Sequence, residues 1–218
     1  MKNYRIIMES VSNATLKEVE VPELKPDQVL IRNFYTIVSA GTERAWSMDM
    51  PNAHSTFPYM PGYSGAGEVV KVGDAVTRVK VGDRVVVNWA GHQLYSVKDE
   101  NLVCVPEKVS MLDAAFAHIA SFPLNGVRKL HLEIGESAMV AGQGILGVFA
   151  LQFALLCGAV PMLVSDFSPE RRALAEKLGT DYALNPGDKD YLDQIREITG
   201  GEGVRAIVEV TGSAAALQ

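Results

Sequence analysis

The chain has 218 residues, 48% hydrophobic and 21% charged, which is ample apolar content for a packed core and excludes disorder as its main description. Its 20 Lys and Arg against 26 Asp and Glu give a net charge of −6 without basic runs, arguing against nucleic acid or an anionic membrane as the main partner. Two cysteines, Cys104 and Cys157, build neither a disulfide framework nor a four-cysteine zinc lobe, and the N-terminus has no signal-peptide apolar core; a cytoplasmic globular protein is expected.

The first half reads as β-rich. Residues 16–21, Leu-Lys-Glu-Val-Glu-Val, alternate apolar and polar with the period of a half-buried strand, and 29–38 give a second strand. Residues 67–74 and 79–87 repeat a strand–Gly-Asp–strand rhythm in which Gly-Asp supplies turn chemistry, so a small barrel or sandwich is expected over 1–110. Trp46 and Trp89 are expected in that core, the alternative being that they line a substrate pocket; Cys104 is expected at a buried strand position and His92 in a turn.

The character changes near Met111. A helix over 111–130 leads to a strand at 137–141, a glycine turn, a buried helix at 145–157 carrying Cys157, and a strand at 160–165. A helix (169–178), a short strand (182–184), a helix (190–199) and a strand (205–210) follow. Alternating strands and helices with apolar strands imply a parallel sheet covered on both faces, so 111–218 is expected to be a second domain. Residues 145–164 contain Gln152 as their one conventionally polar side chain before Ser165 and match a membrane span in length, but Gly158 and Pro161 break them; helix-plus-strand explains the same residues. Four strands precede Gln218 where a full dinucleotide-binding sheet has six, and 214–218 read as the start of a helix, so the chain reads as C-terminally truncated.

Gly142-Gln-Gly144-Ile-Leu-Gly147 matches G-x-G-x-x-G, with a strand entering it and a helix leaving it. Gly142 would permit the tight turn, Gly144 the approach of a pyrophosphate, and Gly147 close helix–strand packing; amides from Ile145 and Leu146 onward would face the phosphates. Asp166 ends the next strand 24 positions after Gly142, near the spacing for a carboxylate that holds the adenosine ribose and repels a 2′-phosphate. NAD is therefore expected over NADP. The competing readings are that Asp166 caps the helix after Ser168-Pro169, and that Arg171 or Arg172 reaches a 2′-phosphate.

Five motifs carry a family resemblance: Ser39-Ala-Gly-Thr-Glu43, Pro61-Gly-Tyr-Ser-Gly-Ala-Gly-Glu-Val69, Val81-Gly-Asp-Arg-Val85, Val140-Ala-Gly-Gln-Gly-Ile-Leu-Gly147 and Glu209-Val-Thr-Gly212. Together they make the chain similar to the medium-chain dehydrogenase/reductase family, which includes zinc alcohol and sorbitol dehydrogenases. The resemblance implies a GroES-like β-barrel domain followed by a Rossmann parallel sheet, here incomplete, and adds Thr211 and Gly212 to the expected cofactor contacts. It departs at the metal. Where zinc enzymes carry Cys-Gly-Thr-Asp and Gly-His-Glu, this chain has Ala40-Gly-Thr-Glu43 and Gly62-Tyr-Ser64; the third ligand position falls on His118 or Ile119. Ala40 and Tyr63 are not a plausible ligand pair and a catalytic zinc needs three protein ligands, so no zinc is expected unless His54, His92 and Glu43 form an unrelated site.

Without zinc, the resemblance makes Thr42 the candidate proton-relay hydroxyl, with His118 or Tyr63 helping to polarise a substrate oxygen. The bland alternatives are a backbone-bonded Thr42, a satisfied core histidine at 118 and a volume-filling Tyr63. The expectation is a zinc-independent, NAD-dependent oxidoreductase acting on an alcohol, a polyol or the corresponding carbonyl. An NADPH-type quinone or enone reductase and a catalytically silent nucleotide-binding module are the alternatives. A small-molecule substrate is implied, and a homo-oligomer stays open.

Overall fold

A computed structural model describes residues 1–51 and 53–213; the helix start expected at 214–218 lies outside the described residues. The chain divides into two compact units, Met1–Ile119 and Ala120–Gln218.

In the first unit β1 (Lys2–Ser10) and β2 (Asn13–Glu20) form an antiparallel hairpin. A five-stranded antiparallel sheet has the order β6-β3-β4-β5-β7, built from β3 (Gln28–Ile37), β4 (Ser64–Val72), β5 (Arg84–Asn88), β6 (Tyr95–Asp99) and β7 (Val103–Cys104). Bridges at Arg5–Gln93 and Met8–Tyr59 tie the hairpin to segments flanking this sheet, which is the form the expected barrel takes. Alternation decides the faces. Val29, Ile31, Val69, Val85 and Val87 pack on one side, while Ala66 and Val86 meet Val105, Ala114 and Ala115 on the other.

Of the strand–Gly-Asp–strand expected over 79–87, the turn and the second strand form and the first strand does not. Lys80 N–H donates to Asp83 Oδ2 (2.9 Å) and Gly82 adopts φ +92°, so these residues form a turn and pairing begins at Arg84. Three elements were not anticipated: β1, β6 and the helix α1 (Ala40–Ser47); the segments of β1 and α1 lack a clean period of either kind.

The helix expected over 111–130 is two helices, α2 (Met111–Ala115) and α3 (Ala117–Lys129). The reason is a side chain. Ser64 Oγ donates to Ala115 O (2.6 Å) and accepts from Ile119 N–H (3.3 Å), standing between two groups that an unbroken helix would pair with each other. Because α2 packs on the first sheet through Ala114 and Ala115, the first unit runs on to Ile119, beyond the change of character at Met111.

The second unit holds a four-stranded parallel sheet in the order β10-β9-β8-β11: β8 (Ala138–Ala141), β9 (Met162–Ser165), β10 (Tyr182–Leu184) and β11 (Ala206–Glu209). Helices α4 (Ile145–Leu156), α5 (Pro169–Lys177) and α6 (Tyr191–Ile198) alternate with them. Every residue of β8 and β9 is buried, as a sheet covered on both faces requires. Ala138, Val140, Met162 and Val164 face Leu151 and Ala154 of α4, whereas Met139 and Leu163 face Ile195 of α6.

Both cysteines correct their expectation. Cys104 and Cys157 are exposed, the first on the edge strand β7 and the second as the C-cap of α4. Among the described residues no helix is long and apolar enough to cross a membrane.

Candidate functional site

In the second unit β8 ends at the glycine turn. Gly142 adopts φ +91°, a region L side chains rarely enter, and its N–H donates to Ser165 O (2.7 Å) at the end of β9. A Cβ on Gly147 would lie 1.9 Å from the Gly142 carbonyl oxygen, so glycine alone lets α4 start this close to the turn. A Cβ on Gly144 would meet nothing within 4 Å: that side of the turn is open. Gly144 is the N-cap of α4, no side chain caps the helix, and its first turn holds no acid. Ile145 and Leu146 follow in that turn, so the amides and dipole of this helix end favour an anion.

Asp166 stands beside it, 9% exposed. Its Oδ2 accepts from Gln143 N–H and its Oδ1 from Ser168 N–H, both at 2.8 Å, and Arg171 Nη1 lies 3.4 Å from Oδ2. Burial pushes the carboxyl up, but these two amides and the Arg171 guanidinium outweigh it and hold Asp166 below the ordinary Asp range. Capping of α5 belongs to Ser168, whose Oγ accepts from Arg171 N–H (3.3 Å); Asp166 braces the glycine turn instead. Arg172 Nη1 donates to the Asp166 carbonyl (2.6 Å), while Arg171 keeps a largely exposed side chain.

Thr211 completes the rim. Val210 N–H donates to Ala141 O (3.0 Å), and a Cβ on Gly142 would come within 3.0 Å of Thr211 Cγ2. Thr211 itself is held by Glu209, which accepts from its N–H and its hydroxyl, and Gly212 follows with φ +67°. Gly142, Asp166 and Thr211 thus meet at the carboxyl ends of β8, β9 and β11, where the strand order reverses direction; open α/β sheets bind ligands at such a point.

The other candidates lie in the first unit. Thr42, in α1, lines a cavity of ≈ 250 Å³ together with Trp46, His54, Tyr59, Tyr63 and Trp89. The two tryptophans are exposed rather than in the core, correcting that expectation: Trp89 is 59% exposed and adopts φ +54°. Its conformation is held by Trp89 N–H donating to Tyr63 O (2.8 Å) and by Lys98 Nζ donating to Trp89 O (2.7 Å). His118 packs edge-on to Tyr63 (centroids 5.8 Å apart) and to Trp89 (6.1 Å), and burial lowers its pKa, favouring the neutral imidazole. The fold therefore brings Thr42 and Tyr63 to one cavity and seats His118 against two of its aromatic walls.

Family zinc does not fit these residues. Ala40 offers no donor atom, Ile119 is fully buried and apolar, and the Tyr63 hydroxyl donates to Ser39 Oγ (2.7 Å). Glu43 and His92 do meet, yet among the described residues no group of three His, Cys, Asp or Glu could hold a metal ion.

Sequence reasoning missed a hydrogen-bonded network beneath this cavity. Ser39 is the N-cap of α1, but its hydroxyl accepts from Tyr63, so the cap is supplied in reverse: Glu43 Oε1 accepts from Ser39 N–H (2.9 Å). Glu43 Oε2 lies 2.8 Å from His92 Nε2, and His92 Nδ1 lies 2.8 Å from Thr36 Oγ1. His92 does sit in a bend, as expected, and its ring is hydrogen-bonded through both nitrogens. The sequence grouped Glu43 and His92, with His54, only as a hypothetical metal site; that the two meet in a hydrogen bond follows from the packing.

Comparison with known proteins bears on the family and the fold. The family model for an alcohol dehydrogenase GroES-like domain matches residues 25–131, and that for a zinc-binding dehydrogenase matches 146–218. An L-threonine 3-dehydrogenase of Pyrococcus abyssi is 31% identical over 237 aligned positions, covering 94% of this chain and 68% of that relative. The crystal structure of 2R,3R-butanediol dehydrogenase from Bacillus subtilis superposes with a TM-score of 0.84 at 26% identity, covering 99% of this chain and 72% of that one. A Sinorhizobium meliloti structure solved bound to NADP has a TM-score of 0.86 at 22% identity, covering 100% and 72%, a likeness of fold alone.

Proposed function

The chain belongs to the zinc-type medium-chain dehydrogenase/reductase family of oxidoreductases, and we propose that it transfers hydride between NAD(H) and an alcohol, a polyol or the corresponding carbonyl without a catalytic zinc. One observation carries this reading: an uncapped helix N-terminus with an open glycine face stands beside a buried, ionised Asp166. The turn would hold the diphosphate and Asp166 the ribose hydroxyls. A carboxylate has about four acceptor positions, so two amides and Arg171 leave room for a ribose hydroxyl. The dinucleotide supplies hydride chemistry when bound; the protein orients the substrate and moves its proton. Thr42 offers its hydroxyl at the cavity wall, and His118, kept neutral by burial, with Tyr63 shapes the pocket around the substrate oxygen.

A second reading, an NADPH-dependent quinone or enone reductase, draws on Arg171, whose half-exposed guanidinium beside Asp166 could meet a 2′-phosphate. Titration with NADH and NADPH, followed by nicotinamide fluorescence, separates the two. Tighter binding of NADH is expected, with the preference shrinking about tenfold or more in Asp166→Asn, in line with loss of a charge-assisted hydrogen bond. Turnover of an alcohol and polyol series is expected to survive a strong chelator. Silence toward both dinucleotides would end the enzymatic reading; a preference for NADPH would transfer it to the reductase.

A further inference from the structure

We propose that Glu43 and His92 are the proton-accepting pair of the first unit's cavity, taking up the proton that a substrate hydroxyl releases as its carbon gives up hydride. The proposal rests on the dehydrogenase reading above and adds to it the residues that handle the proton.

Their geometry is that of an acid–base pair. With Nε2 protonated, His92 donates to Glu43 across 2.8 Å while Nδ1 accepts from the Thr36 hydroxyl at 2.8 Å, two contacts that fix the orientation of the ring. Both side chains are well covered, His92 at 13% and Glu43 at 14% exposure, so their attraction is little screened. The ring is held from behind as well. His92 N–H donates to Pro61 O and its carbonyl accepts from Ile6 N–H, both at 2.8 Å. Gly62, at φ +98°, leaves the space the ring needs: a Cβ there would lie 2.9 Å from His92 Nδ1.

Position gives the pair a route. Glu43 lines the ≈ 250 Å³ cavity with Thr42 and also lines a second cavity of ≈ 640 Å³, into which His92 faces. Glu43 is thus a shared wall, open to a substrate on one side and to the imidazole and water on the other. Tyr59 lines both cavities too, and its buried hydroxyl has no hydrogen-bond partner among the described residues. A substrate oxygen in the first cavity would supply that missing partner. Burial and the nearby Glu43 carboxylate both raise the Tyr59 pKa, so Tyr59 stays a neutral donor.

The step balances. The substrate's O–H bond breaks and its proton enters the pair. The C–H bond breaks with its electrons going to the nicotinamide dinucleotide, and the carbonyl forms. The pair, now carboxylic acid and neutral imidazole, returns to carboxylate by releasing the proton to water in the second cavity. The titratable or charged groups bordering the two cavities besides the pair are Tyr59, Tyr63, His54 and Arg44.

The test is hydride transfer measured in a single turnover with the full chain, NAD and an alcohol series, across pH. Glu43→Gln keeps an acceptor for Ser39 N–H but cannot take a proton. It is expected to lose about 10²-fold or more in rate, together with the acid limb of the pH profile. His92→Gln is expected to shift that limb, and Glu43→Asp to recover part of the rate. NADH affinity, set by the second unit, is expected to stay within about twofold, the scatter of independent sites. If the parent transfers hydride and both Gln variants match its rate and profile, the pair is refuted while the dehydrogenase reading stands. A slower rate with an unchanged profile also refutes it, reducing the pair to a latch that holds α1. If the parent binds NADH but transfers no hydride, both readings fall together. Should Glu43→Gln not fold, Glu43→Asp against His92→Gln reads the same profile.

Discussion

Ser64 and His118 show how single side chains organise the first unit. Ser64 replaces one helical bond with two of its own, ending α2 and restarting the chain as α3 one residue before His118. That placement turns the imidazole onto Tyr63 and Trp89, where burial lowers its pKa from 6.5. The linkage follows from proton counting: between the folded and unfolded values the unfolded state binds more protons. His118 therefore withholds no stability above about pH 6.5 and destabilises the fold as pH falls through that value toward its folded pKa. Melting temperatures between roughly pH 7.5 and 5.5 should fall less steeply in His118→Gln than in the parent. Identical slopes would mean that burial does not govern this imidazole.

The glycine turn puts a different contrast at the scale of an element. Gly144 and Gly147 look equivalent as letters but differ in what a methyl group would meet. In Gly144→Ala the new carbon finds open space, and φ −75° with ψ −171° suits alanine. The expected cost in stability is a few tenths to about 1 kcal/mol, the scale of an N-cap change, while dinucleotide affinity drops because the methyl stands where the diphosphate would approach. In Gly147→Ala the carbon falls 1.9 Å from a backbone oxygen, so strand end and helix must separate; a loss of about 1–3 kcal/mol or more is expected, with binding lost too. Denaturant melts beside NADH titrations distinguish the two. A Gly144→Ala protein that bound NADH at parental affinity would show that the diphosphate lies elsewhere.

Across the whole molecule, each unit carries its own core. Leu151, fully buried on α4, packs against β8 and β9, whereas Ile31 and Val85 centre the first unit's sheet. Leu151→Ala should cost about 2–5 kcal/mol by leaving a cavity between α4 and the sheet. Hydrogen exchange is expected to show the loss in β8 and β9 amides first, with those of β3 and β4 retaining more protection. Equal loss in both sheets would mean that the cores unfold as one.

Much of this was legible in the letters. Strand and helix alternation, the glycine spacing and the acid 24 positions on located the parallel sheet and Asp166, because each depends on neighbours a few residues apart whose period or turn chemistry is local. Ala40 and Tyr63 likewise marked where this chain departs from the family's zinc-ligand pattern, since a ligand must be of the right type whatever surrounds it. Tertiary structure alone decided the rest. That Ser64 splits a helix, that Trp89 faces outward, and that Glu43 finds His92 from 49 positions away depend on which strands lie side by side. Periodicity reports how a segment meets its own neighbours, while an acid–base pair is made by chain crossings whose register only the packed sheet sets.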